Sequence, residues 1–242
     1  MSSAEPKSPF RSRGFIAAAI VIGVIVLAAI VVLVGGLFRD DNDTASAPTA
    51  TTTATPTVDE ADVSICGLPG HDTENTLTAA PTNEWELVGT VAAPTDPNGA
   101  GPGVVDDGIR SCYSHTAKGA LFAVVNYFAL ASDARNSSAL FDLVEPGKGR
   151  DAAIAAQAAE PITSAGTRLQ VAGFRINSYD GQEAVVDVAW SVTSQGGALV
   201  SFPMVMHWAE GDWKIVLTDE GTFPYTSSAL TNLGGYLPWA GV

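Results

Sequence analysis

Apolar residues along this chain change their spacing several times, and each change marks a different element. From Phe15 to Leu37 the run FIAAAIVIGVIVLAAIVVLVGGL holds no charged or strongly polar residue. A helix needs about 20 apolar residues to cross ~30 Å of hydrocarbon, so this run predicts one transmembrane helix over 15–37. The stretch DDNDTASAPTATTTATPTVDEA follows, with almost no large apolar side chain. It cannot bury enough surface to offset its ordering entropy, which predicts a disordered linker over 38–62. Globular patterning returns at 63–242, the expected extracytoplasmic domain.

Within that domain WELVGTVAA (85–93) alternates and reads as a short strand. The segment AKGALFAVVNYFALAS (117–132) is apolar on nearly every face, the mark of a buried helix, and Thr116 is a suitable N-cap. Two shorter helices are expected from SALFDLV (138–144) and RDAAIAAQAAE (150–160), the second ended by Pro161. From Gly166 onward the period becomes two. Leu169 and Val171 share a face, and after Ala172-Gly173 the apolar phase flips to Phe174 and Ile176, a slip that a β-bulge produces. Three further strands carry Ala184, Val186, Val188, Trp190 and Val192; then Val200, Phe202, Met204, Met206 and Trp208; then Trp213, Ile215 and Leu217. A turn at AEGD (209–212) sets Trp208 opposite Trp213, Met206 opposite Ile215 and Met204 opposite Leu217, so every pair is apolar on one face. Trp190 is expected opposite Phe202. Pro203 implies an edge or bulge position. The fold class is α+β: an N-terminal transmembrane helix, then helices packed on a curved antiparallel sheet with one buried face.

Charge gives the apolar run a direction. Lys7, Arg11 and Arg13 precede it and Asp40, Asp41 and Asp43 follow it, so residues 1–14 are expected in the cytoplasm and the domain outside. A cleaved signal peptide has an apolar core of about 7–15 residues, shorter than this one. A net charge of −14 argues against nucleic acid as a partner, because phosphate binding needs a basic surface.

That orientation decides the reading of RSCYSHTAKG (110–119). Cys112 and His115 stand three apart before a helix, a spacing compatible with a nucleophilic thiol and its base. Outside the membrane, however, the two cysteines of the chain are expected to form a Cys66–Cys112 disulfide. The loop PTDPNGAGPGVVDDG (94–108) lacks the Lys-Ser/Thr ending of a phosphate loop. Asp96, Asn98, Gly101 and Asp107 half-match a calcium loop, but Ala100 and two prolines break the pattern, and a long turn is expected. His71, His115 and His207 are too scattered along the chain to indicate a metal site. Asp187 and His207 fall on the sheet face opposite the apolar one, with His207 across from Val185; this reads as a solvated or partner-facing surface. Asn126 and Tyr127 lie on the buried helix as candidate pocket groups, Tyr127 packed and Asn126 facing a loop. No catalytic residue, metal or cofactor is expected.

The plan from Cys112 to Asp219, with GDWKIVL (211–217) closing a hairpin, resembles the ketosteroid-isomerase-like cone, also called the nuclear transport factor 2 fold. The stretches WELVGTVAAPTDPNGAGPGVVDDGIRSCYSHTAKGALFAVVNY and LPWAGV are similar to an uncharacterised family of actinobacterial membrane-anchored proteins, in which proline often stands where this chain has Ala117. That family's architecture is similar to inner-membrane assembly factors of conjugative type IV secretion. The resemblance implies a single-pass membrane protein, non-enzymatic, whose outer domain binds envelope proteins or itself, as an accessory or assembly component of a conjugation or secretion apparatus. Two alternatives stay open: an extracytoplasmic small-molecule-binding or catalytic cone, and a cell-wall-associated structural domain.

Overall fold

The computed structural model describes residues 60–160 and 168–240. The apolar run 15–37, expected to cross a membrane, and most of the expected linker 38–62 lie outside the described residues. Among the described residues no helix is long and apolar enough to cross a membrane. The described residues form a mixed α/β arrangement, mostly sheet, with two α-helices among them.

Residues 85–93 form a hairpin where one strand was expected. Strand β1 (Glu84–Val88) pairs with β2 (Val91–Thr95). Gly89, at φ +59, makes the turn; the Gly-Thr step interrupts what alternation alone reads as continuous. The expected long turn at 94–108 contains a bridge between Asp96 and Gly101 and then runs into a small hairpin, β3 (Val104–Asp106) with β4 (Ile109–Ser111).

Helix α1 (Ala117–Ala131) matches its expectation. The Thr116 hydroxyl accepts the Gly119 amide, and eleven of its residues are buried. It contacts β1, β2, β4, β5, β6 and β8, which is why no face is polar. Gly119 is required where the chain folds back on itself, because a Cβ there would stand 2.0 Å from the Ser114 carbonyl oxygen. Each fully buried Leu, Val or Phe on this helix contributes roughly 1.5–3 kcal/mol. Residues 138–144 are not an α-helix: Ala139–Leu143 is a 3-10 turn. Three residues per turn align Leu140 with Leu143, and both are buried. Helix α2 (Lys148–Ala159) follows and has no buried residue.

The main sheet contains β5 (Leu169–Tyr179), β6 (Glu183–Val192), β7 (Ala198–Ala209), β8 (Asp212–Ile215), β9 (Ser228–Leu230) and β10 (Leu237–Pro238). Its order is β10-β5-β6-β7-β8, and β9 also pairs with β7; every pairing is antiparallel. The bulge expected at Ala172-Gly173 is present, with a second irregularity between Ile176 and Ser178. Gly173 also lets the tail approach, since a Cβ would lie 2.8 Å from the Leu237 carbonyl oxygen. Trp208 faces Trp213 and Met206 faces Ile215 as expected, while β8 ends before Leu217.

The β6–β7 register differs by two residues from the expected one. Trp190 faces Val200, Asp187 faces Pro203, and His207 faces Glu183 rather than Val185. Pro203 lies in the interval between β9, which pairs with residues 199–201, and β8, which pairs with 206–209. Val205 accepts the Val216 amide on that outer side, so the odd-numbered positions of β7 point there. The amide that Pro203 lacks would have pointed into that interval, at no cost to the β6 ladder.

The sheet was expected to bury one face, but β6 is buried on both. Ala184, Val186, Val188 and Trp190 face α1 in the core, and Val185, Asp187 and Ala189 on the other face are also covered. The tail supplies part of that cover through Tyr236, whose hydroxyl donates to Asp187. On the core face Trp239 packs against Trp85, Phe122 and Phe174, and its indole N–H donates to Asn83.

Candidate functional site

Titratable groups gather where residues 61–72 cross the start of α1. Cys66 and Cys112 are bridged, with Cα atoms 6.1 Å apart. Cys112 is held at φ +63, in the left-handed region. The Asp212 carboxylate secures it, accepting the Cys112 and Tyr113 amides at 2.8 Å each and the Trp213 amide at 2.9 Å. Burial pushes the Asp212 carboxyl upward, and the three amides pull against that. Ser64 donates to the Tyr113 carbonyl, Ile65 to Gly211, and the Trp208 indole to Ala61. The packed chain thus includes Ala61 and Asp62, just ahead of Val63.

Cys112 is therefore an oxidised staple, and its neighbour His115 is more than a helix-turn residue. His115 is fully buried, stacked on Trp208 at 3.8 Å between centroids and on His71 at 4.5 Å. Its Nε2 lies 2.5 Å from the Gly181 carbonyl and its Nδ1 lies 3.0 Å from the Asp62 carbonyl. The Asp62 carboxylate stands 3.7 Å from His71 Nε2 and 3.8 Å from His115 Nδ1. The histidines are not all scattered, then: backbone pairing of His71 with His115 brings two of the three together. Beside them opens a groove of about 720 Å³, lined by Val63, Ile65, Gln182, Trp208, Glu210 and Gly211 among others.

Asn126 does not face a loop. It is buried, accepts Arg110 Nε at 2.7 Å, and donates to the carbonyls of Pro94 and Phe122. Arg110, itself buried, reaches on to Glu86 at 2.9 Å. Tyr127 packs edge-on to Phe128 and Phe223, and burial pushes its hydroxyl up to about 12.

Asp187 is neither solvated nor near His207. It has no exposed surface, and it accepts Ser201 at 2.7 Å, Tyr236 at 2.7 Å and Arg175 at 2.8 Å. Arg175 also stacks over the Tyr236 ring. This knot clamps the C-terminal tail to the sheet. His207 lies on the neighbouring strand opposite Glu183, four residues or about 13 Å along the sheet from Asp187, and sits between Glu145 at 3.0 Å and Glu183 at 3.1 Å. The two therefore form no dyad. Asp96 of the half-matched calcium loop accepts Lys118 at 2.8 Å and the Ala100 amide, which makes it a turn cap.

Asp62, Arg110 and Asp212 escaped notice in the sequence, and His71 was read there only as one of three scattered histidines. Only Asp212 had a legible signal, as the residue preceding Trp213 in a turn whose register was already determined.

The family described as Domain of unknown function (DUF8175) matches residues 44–238, and the chain belongs to it. No curated protein and no solved structure matches the chain.

Proposed function

We propose that this chain is a single-pass membrane protein whose outer domain binds other envelope proteins or itself, as an accessory or assembly component of a conjugation or secretion apparatus. The observation that carries the reading is the fastening of residues 61–72. Directly after the linker the chain is held by a disulfide, by Asp212 through Cys112, and by Ala61, Ser64 and Ile65. A disulfide there suits an oxidising compartment, and a fastened start suits a domain that takes load from an anchor.

Two further features favour binding over catalysis. The buried polar groups Asn126, Asp187 and Asp212 each bond protein partners that hold the fold. Leu87, Val104 and Val105 are exposed on the β1–β2 and β3–β4 hairpins, which the Arg110–Glu86 pair links. Exposed apolar residues on linked hairpins are candidate docking points. We also read the three long strands around α1 as the ketosteroid-isomerase-like cone; their lengths and the buried helix support that reading.

The test is in-cell crosslinking of the tagged full-length protein in its native host, followed by mass spectrometry. Secretion ATPases, channel proteins or a self-oligomer are expected. Recovery of wall synthases would move the assignment to a cell-wall-associated domain. No reproducible partner would refute the binding role and direct attention to ligands of the cone.

A further inference from the structure

We propose that Asp62, His71 and His115 form a binding site for a divalent transition-metal ion, with zinc the best chemical fit. Two imidazoles and one carboxylate are ligands that zinc shares with copper and nickel, whereas calcium and magnesium require oxygen. Cys66 and Cys112 lie close by but are joined to each other and contribute no thiolate.

The ligand atoms are already gathered. Asp62 Oδ1, a His71 nitrogen and a His115 nitrogen lie within 4.8 Å of one another. The two separations from Asp62 Oδ1 are 3.7 Å to His71 and 3.8 Å to His115. Ligand atoms about 2.0–2.1 Å from a tetrahedral zinc stand roughly 3.3 Å apart. Closing these two edges therefore takes movements of about half an ångström. Asp62, 24% exposed, can provide them while the fully buried His115 stays fixed, and His71, 31% exposed, must also turn out of its stack on His115 to aim its lone pair at the ion.

His115 is oriented as a ligand. Its Nε2 abuts the Gly181 carbonyl, the usual outer partner of a metal-bound histidine. A proton on Nε2 leaves the Nδ1 lone pair facing the Asp62 carbonyl at 3.0 Å and the Asp62 carboxylate at 3.8 Å. Three electron-rich atoms so placed need a positive centre among them. A proton on Nδ1 would serve His115 and Asp62 only. A metal ion would serve those two and His71 together, and would leave a fourth position on the exposed side of Asp62 and His71. Bound there, the ion would tie residues 62–71 to the start of α1, the same two segments that the disulfide joins.

The test uses untagged full-length protein in detergent, stripped with a chelator and titrated with Zn²⁺ by calorimetry. One equivalent should bind per chain, and the thermal midpoint should rise with metal and fall again on chelation. His71→Ala and Asp62→Asn should each weaken binding by roughly tenfold or more and abolish the thermal shift. Should His71→Ala fold poorly, His71→Gln gives the same comparison. Co²⁺ in place of Zn²⁺ should give the strong visible absorption of a tetrahedral site. Absence of saturable one-to-one binding would overturn the proposal. Equal affinity in wild type and both variants would also overturn it, by assigning the binding to other carboxylates of this acidic chain.

Discussion

Replacing Cys66 by Ser opens the disulfide at its exposed end and leaves Cys112 in place. The bridge spans a sequence separation of 46 residues. On the chain-entropy model, releasing a loop of that size from the unfolded ensemble costs the folded state about 4 kcal/mol at 25 °C. Most of the native geometry should survive. Ser64 still bonds Tyr113, Ile65 bonds Gly211, Trp208 bonds Ala61, and Asp212 holds the Cys112 and Tyr113 amides. The effect should therefore arise mainly in the unfolded state, which becomes less compact without its cross-link. Urea unfolding of wild type and variant, with and without reductant, measures this directly. The variant should lose about 4 kcal/mol, or ~10 °C in thermal midpoint for a domain of this size, and its m-value should rise. Reductant should bring wild type to the variant's level and leave the variant unchanged. A loss below about 1 kcal/mol with an unchanged m-value would refute the entropic argument. A loss much above 4 kcal/mol would instead show that residues 61–72 come away from the fold, so that native contacts are lost as well.

Asp187→Ala should destabilise the domain by about 3 kcal/mol in the same assay, since it leaves the Ser201 and Tyr236 hydroxyls and the Arg175 guanidinium without their shared acceptor. An effect within 0.5 kcal/mol, the usual range for open surface positions, would contradict its burial. At Asp96 the Lys118 hydrogen bond holds the carboxyl below its ordinary value of 3.8. A depressed carboxyl contributes stability that is present above the unfolded value and lost as pH falls through the folded one. Asp96→Asn should therefore cost roughly 0.5 kcal/mol at neutral pH, and the difference from wild type should vanish in acid below 3.8. A difference that persists there would assign the effect to packing.

Much of the element pattern was legible because it is local. The all-apolar face of 117–132 marks a helix enclosed on every side, and the phase flip at Ala172-Gly173 marks a bulge. A four-residue turn at AEGD places Trp208 on Trp213 without any long-range information. The misread elements follow from the same dependence on local period. SALFDLV carries apolar residues that a 3-10 turn aligns as well as an α-helix does, and a Gly-Thr turn hides inside the alternation of WELVGTVAA. The β6–β7 register was missed by two residues for a definite reason. Alternation has a period of two, so a slip of two keeps every side chain on its face and leaves the apolar pattern unchanged. The connection between the strands, a 3-10 turn at Thr193–Gln195 closed by Gly196 in the left-handed region, sets the register instead.

The candidate site was almost illegible, and burial shows why. Strand parity assigned Asp187 to the outer face correctly, but parity does not say what covers that face. The cover comes from Tyr236, 49 residues further along the chain. His115 likewise reads as a helix-start residue until residues 62 and 71 on one side and Gly181 on the other close around it. By itself the sequence determined most of the helical and extended segments, which side of each is apolar, and that two cysteines stand in a domain expected outside a membrane. Only the tertiary structure decided which polar groups meet, because such meetings depend on register and on segments distant in the chain, and the local periodicity of side chains carries neither.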